Sequence, residues 1–255
     1  SLATAGISLL LIYVFWLALY KFINIIYTAN YISYISLILL LYILYFILVL
    51  FYKFGKKDGL FLYIGFIAAL LGVVMFKLYD FTLFPVNYGL PLVMGIFTAN
   101  NIIIQRFGLD EIKKIISYYV VPYVMVMIII CLGSLVTSSD YNIMTNNCFN
   151  SLFGYGLINL RCFIGGLLSI GFMLYLNGEV YYYIRRSKNK LLLSNIGSIL
   201  IIQFIESIIF ICVAYLGEYD FLIIFGMIII RYLIKVIIGM VGLVIVYLLV
   251  NRRGK

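Results

Sequence analysis

The sequence predicts an all-α fold: a polytopic membrane helix bundle of about eight transmembrane helices, with both termini cytoplasmic. Three observations lead there. Of the 255 residues, 66% are hydrophobic and 11% are charged, far less charge than a soluble domain carries. Several apolar runs reach the ~20 residues needed to cross a ~30 Å hydrocarbon core. The charges lie mostly in the short gaps between runs and alternate in sign from gap to gap.

That alternation gives the orientation. Basic gaps hold Lys53, Lys56 and Lys57; Arg106, Lys113 and Lys114; Arg185, Arg186, Lys188 and Lys190; and Arg252, Arg253 and Lys255. Together they carry 13 Lys or Arg and three acids, Asp58, Asp110 and Glu111. The opposite gaps carry Asp80, Asp140, Glu218 and Asp220, with no Lys or Arg. The positive-inside bias puts the basic gaps and both ends in the cytoplasm. It also accounts for the formal charge of +9. No basic stripe with interleaved aromatics lies outside the runs, so no nucleic-acid partner is expected.

The spans run roughly over 6–27, 31–53, 59–79, 85–106, 112–137, 152–183, 191–216 and 221–251. Each is expected to be helical, because an open chain in lipid must satisfy its backbone groups within the segment. The first follows a start, Ser1 to Gly6, without a basic n-region, so it reads as a retained helix and not a cleaved signal. Lys21 and Lys77 fall near the outer ends of the first and third spans. Both can snorkel, and Lys77 can pair with Asp80. The fourth span is interrupted at its outer end by Pro85, Gly89 and Pro91. Such a break marks either irregular backbone lining a cavity or a plain loop. Gly95 with Ala99, then Gly165, Gly166 and Gly239, allow close helix approach in the fourth, sixth and eighth spans. Tyr27, Tyr31, Tyr118, Tyr119 and Tyr181 to Tyr183 mark span ends as interfacial anchors.

Composition also excludes chemistry. Without histidine there is no histidine-ligated metal, no histidine relay and no Ser–His–Asp triad. Cys131, Cys148, Cys162 and Cys212 are scattered without a CxxC, so no disulfide or metal framework is expected. No GxxxxGK[ST] stretch is present, and the chain is not expected to be its own ATPase. No cofactor is implied.

The charged and amide residues inside the spans pose the functional question, because each costs free energy in lipid. Arg231 and Lys235 lie one turn apart on one face of the eighth span. Gln203, Glu206 and Ser207 share a face of the seventh. Arg161, Asn177 and Glu179 lie in the sixth, and Asn100, Asn101 and Gln105 in the fourth. At ~1.5 Å rise per residue Glu206 and Lys235 reach comparable mid-membrane depth. They are expected to form an ion pair, with Arg231 as the competing partner. The plain alternative is a buried pair that only fixes helix register. With amides from two further spans, a polar cavity for a planar, nitrogen-rich solute fits better.

At the last two spans the residues resemble a known family. The run Ser198-Ile-Leu-Ile-Ile-Gln203-Phe-Ile-Glu206-Ser207-Ile-Ile-Phe210, then Ala214 and Gly217, resembles a signature of the queuosine precursor transporter family, also called the VUT family. Tyr232-Leu-Ile-Lys235 with Tyr247 is similar to that family's ending. Asn100 to Lys114, including Gly108 and Lys113, resembles its earlier motif, and Arg161 with Asn177 falls where it has an arginine and an aspartate. The resemblance covers roughly residues 60–251. It departs where Asn101, Gln105 and Asn177 replace carboxylates, where Glu206 replaces an aspartate, and where Val244 or Ile245 replaces a proline.

The resemblance implies a six-helix transporter core over 59–255, with 1–58 either diverged family helices or, preferred here, a two-helix addition. It implies a multi-pass protein of the cell membrane, not an enzyme, that imports a 7-deazaguanine precursor of queuosine (preQ0, preQ1 or queuine). The expected substrate-binding residues are Glu206, Gln203, Lys235, Asn177, Asn100, Asn101 and Arg161, with Phe210, Tyr232 or Phe204 as stacking candidates. The expected partners are a nucleobase-like solute and the lipid bilayer, with a homo-oligomer or a partner ATPase module as options. The alternative is a substrate-binding subunit for another vitamin or nucleobase that works only with such a module. Two further rivals are an intramembrane enzyme using Ser198 or Ser207 with Lys235, and a scaffold without a solute.

Overall fold

A computed structural model of the chain describes residues 31–75, 77–81, 84–135, 157–188 and 191–251. The expected first span with Lys21, the loop residues Asp140 and Cys148, Lys190, and Arg252, Arg253 and Lys255 lie outside the described residues. So does the side chain of Asp80, and with it the expected Lys77–Asp80 pair. Lys77 lies over the Tyr88 ring, 5.7 Å from its centroid.

The described chain is almost entirely helical: α1 (Tyr31–Val74), a strand pair β1 (Leu78–Phe81) and β2 (Phe84–Asn87), then α2 (Leu90–Phe107), α3 (Ile112–Leu135), α4 (Leu157–Lys188), α5 (Leu191–Tyr215) and α6 (Phe221–Asn251). Among the described residues, five helical stretches are long and apolar enough to cross a membrane: Ile35–Val74, Leu109–Gly133, Asn159–Arg185, Leu193–Tyr215 and Phe221–Leu248. Their outer faces expose large apolar side chains such as Ile129, Leu132, Leu168, Phe225 and Leu222. A surface of that kind suits hydrocarbon and not water. The protein is a multi-pass membrane helix bundle.

The α1 stretch folds back on itself. Lys56 has φ 48° and ψ −114°, outside the helical region. Tyr63 donates to the Leu44 carbonyl at 3.3 Å, and the rings of Phe51 and Tyr63 are 6.1 Å apart. In a straight helix residues 44 and 63 are separated by roughly 28 Å, so the two arms lie antiparallel. The basic gap at Lys53 to Lys57 is thus compressed into one reversal.

The break around Pro85 is not a plain loop, and its Asn87 and Gly89 line a small cavity. It is a short antiparallel hairpin, with Leu78 opposite Asn87 and Phe81 opposite Phe84. This corrects the expectation that the third span stays helical to 79 and that the fourth begins at 85. Proline biases its predecessor toward extended backbone, which places Phe84 and Pro85 in a strand. Pro91 then sits in the first turn of α2, where its missing N–H costs nothing.

Helix α2 is the axle of the bundle. Every residue from Leu90 to Ile104 is buried. Thr98, Asn100 and Asn101 therefore face protein and not lipid. Around it the small residues do what their spacing predicts. Gly95 lies under the Tyr63 hydroxyl, Gly165 over the Phe210 carbonyl, and Gly239 against Met94 and Ile199. Pro122, inside α3, frees the Tyr118 carbonyl one turn earlier. Gly65 of α1 packs on that same carbonyl.

Two tyrosines cross-brace α3 and α4. Tyr119 donates to the Gly166 carbonyl at 2.8 Å, and Tyr123 to the Phe163 carbonyl at 3.2 Å. Tyr119 is buried, so it is a structural brace and not an interfacial anchor. Tyr119→Phe removes a buried hydrogen bond to a carbonyl inside α4 and is expected to cost about 1 kcal/mol, seen as a lower thermal midpoint in detergent with the helical content unchanged.

Candidate functional site

The sequence spacing on α5 and α6 brings three charged side chains to one point, near the middle of both helices. Glu206 accepts from Arg231 Nη2 at 3.0 Å and from Ser169 Oγ of α4 at 3.1 Å, both on Oε1. Its other oxygen, Oε2, pairs with Lys235 Nζ. Lys235 also donates to the Gln203 carbonyl at 3.1 Å. Arg231 and Lys235 do not compete for the carboxylate; each takes one oxygen. At i and i+4 on one helix face the two cations reach the same acid side by side.

All three groups are shut away from the exterior: Glu206 is 1%, Arg231 3% and Lys235 0% exposed. Burial of this kind is tolerable only when the charges are paired and hydrogen-bonded. The surrounding residues supply the bonds. Asn87, at the end of β2, accepts from Arg231 Nη1 at 3.1 Å. Its amide donates to the Met75 carbonyl at 2.9 Å and to the Tyr215 hydroxyl at 3.0 Å. Phe210 lies beneath the guanidinium, 3.9 Å from ring centroid to Cζ, a close cation–π contact. Beside Arg231 lies a small cavity of about 10 Å³, room for roughly one water, lined by Leu71, Met75, Asn87, Val93 and Phe210 among others.

The amides form a second polar patch between α2, α4 and α5. Asn177 donates to Asn101 at 2.6 Å, and Asn100 reaches the Leu174 carbonyl at 3.5 Å. Gln105 donates to Asn195 at 2.7 Å. Among the described residues, four buried amide oxygens make no hydrogen bond with the protein: Asn100 Oδ1, Asn177 Oδ1, Gln105 Oε1 and Gln203 Oε1. Neither does the donor Arg231 Nε. Buried polar atoms without partners are uncommon and call for a physical account.

Of the expected residues, Glu206, Gln203 and Lys235 therefore meet in one cluster, while Asn101 bonds Asn177 and Asn100 bonds the Leu174 carbonyl in a separate amide patch. Arg161 joins neither. It donates to the carbonyls of Val213 and Leu216 and pairs with Glu218 at 3.2 Å. It thereby closes the C-terminal end of α5, where cations are favoured, about 10 Å along the axis from Glu206. Phe204 and Tyr232 pack edge to face against one another, with Phe204 41% exposed on the outer face, away from the cluster. Ser198 and Ser207 donate to carbonyls of their own helix, those of Asn195 and Gln203.

Three residues of the cluster were not anticipated. Ser169 and Asn87 carry no sequence signal that separates them from packing or turn residues. Tyr215 follows from its place at the end of α5, beside the hairpin.

A family profile described as "Putative vitamin uptake transporter" matches residues 87–249. That range holds Asn87, both polar patches and every residue of the ion cluster. The chain belongs to this family. As a vitamin uptake transporter family member it is a membrane transporter for a vitamin-like solute. A "Probable queuosine precursor transporter" of Bacillus subtilis (strain 168) is 28% identical over 203 residues, 78% of this chain and 87% of the relative. No solved structure matches the chain. The match begins at residue 87, so the folded-back α1 precedes the part of this family member that defines the family.

Proposed function

We propose that the chain imports a small planar base across the cell membrane, and that the base is a 7-deazaguanine precursor of queuosine (preQ0, preQ1 or queuine) bound beside the Glu206 cluster. The observation that carries this reading is the set of buried groups still able to bond. Gln203, Asn100 and Asn177 offer acceptor oxygens, and Arg231 Nε offers a donor. A guanine-like edge has the complement, ring and exocyclic N–H donors beside a carbonyl oxygen. The carboxylate of Glu206 already accepts from Ser169, Arg231 and Lys235. Its role is to hold the two cations in place, with the amides reading the donor edge. The similarity to the probable queuosine precursor transporter of Bacillus subtilis supports the same solute class.

The wider architecture is read in the same way. The reversal at Lys56 makes two arms from Tyr31–Val74. With 6–27, these arms give eight spans and cytoplasmic termini, and residues 1–58 form an addition to a six-helix core over 59–255. The first arm is not loosely attached: Tyr45 donates to the Ile238 carbonyl of α6 at 3.2 Å.

Purified chain screened by thermal shift against nucleobases and vitamins tests the solute. A ligand at 100 times its Kd adds about 2.7 kcal/mol, and a 7-deazaguanine is expected to be the stabilising compound. A screen in which vitamins stabilise and no deazaguanine does rejects the assignment. Uptake into proteoliposomes holding this chain alone then separates an independent carrier from a subunit that needs an ATPase.

A further inference from the structure

Charge, an unused donor and a helix end meet at the small cavity beside Arg231. Glu206, Arg231 and Lys235 are the buried charged residues among those described, two cations against one carboxylate. The side chains that close around them, Asn87, Ser169 and Phe210, are neutral. Of the other acids described in α4 and beyond α5, Glu218 is held by Arg161. Glu179 is exposed and lies about 15 Å beyond Ser169 along α4. The cluster therefore buries one positive charge more than its described neighbours balance, which is costly.

The donor belongs to the same guanidinium. Arg231 is 3% exposed and lines the cavity. Its Nη atoms are engaged by Asn87 and Glu206, and its Nε bonds nothing among the described residues. The cavity is also lined by Gly89 and Val93, at the start of the 18-residue α2. Gly89 is the N-cap of that helix, which has no capping side chain and no acid in its first turn. The positive end of its dipole thus borders the same cavity as the guanidinium.

We propose that this cavity is a halide site, which takes a single chloride as counter-ion to the cluster. With room for roughly one water, it is too small for a carboxylate or a phosphate. Leu71, Met75, Val93 and Phe210 make most of its wall apolar, which suits an anion that needs few hydrogen bonds. Loss of the Lys235 proton would also remove the extra charge, but it would leave Arg231 Nε unbonded and the α2 terminus uncapped. An anion in the cavity answers all three at once, through a charge-assisted bond from Nε. The site concerns the chain without its solute, and its failure would leave the solute reading standing.

The test is the thermal midpoint of the full chain in detergent at constant ionic strength, with gluconate exchanged for chloride, bromide, iodide or nitrate. Chloride at ~150 mM is expected to raise the midpoint by ~3 °C or more, bromide less, and iodide and nitrate not at all. Cavity size sets that order, because screening is the same at one ionic strength. Lys235→Met leaves one cation against one carboxylate and is expected to lose at least ~half of the chloride shift. Arg231→Gln loses all of it, and Glu206→Gln, with no acid left, enlarges it. No chloride shift, an equal shift with all four anions, or an order rising toward iodide overturns the site and leaves a water as its occupant. So does a chloride shift that survives Arg231→Gln. Should the variants fail to fold, the anion order on the unaltered chain decides alone.

Discussion

Glu206→Gln is expected to abolish uptake and to cost about 3–5 kcal/mol of stability, the usual cost of removing one member of a buried ion pair. The substitution keeps the size of the side chain but leaves Arg231 and Lys235 side by side with no anion between them. Their bonds to Asn87 and the Gln203 carbonyl persist, and neither bond neutralises a charge. The two losses can be separated. Adding Lys235→Met to Glu206→Gln returns the buried charge to a single cation. The double variant is expected to recover most of the thermal midpoint and none of the transport. Uptake of a labelled base into proteoliposomes and thermal unfolding in detergent, measured on both variants, check the pair. Full transport by the single variant would remove Glu206 from the site.

Gly59→Ala is expected to be the most damaging change outside the site, at about 3 kcal/mol or more. A Cβ at Gly59 would stand 2.0 Å from the Phe51 carbonyl oxygen. The obstacle is backbone, so no rotamer change relieves it. The reversal already contains a non-glycine residue at positive φ, Lys56, which is strained on its own account. The fold has no slack there to open the two arms. Gly55, immediately before Lys56, has open space around it. Gly55→Ala is the control and should be tolerated. Yield of folded protein by fluorescence-detected size exclusion, with thermal midpoints for both variants, reads the contrast.

How much of this was legible beforehand depended on which physical signal was strong. Apolar run length and charge alternation are strong, so the helical membrane bundle was readable. Depth along two antiparallel spans was enough to pair Glu206 with Lys235, because rise per residue is nearly constant in a helix. It was not enough to see that Arg231 joins them, since a carboxylate with two oxygens can hold two cations at once. The hairpin at Leu78 to Asn87 was missed because its residues are aromatic and apolar, the same composition that ends a membrane span. Asn87 and Ser169 were missed because a single small polar residue looks alike whether it turns the chain or binds a guanidinium. Arg161 was drawn toward the site by a family pattern, whereas its neighbours are the carbonyls that α5 leaves free at its end.

The triple grip of Asn87 ties the β1–β2 hairpin to the electric heart of the bundle. One amide clasps Met75, Tyr215 and Arg231 together. Displacing the hairpin would break the bond between Asn87 and the guanidinium, and turning the guanidinium would leave the hairpin with one link fewer.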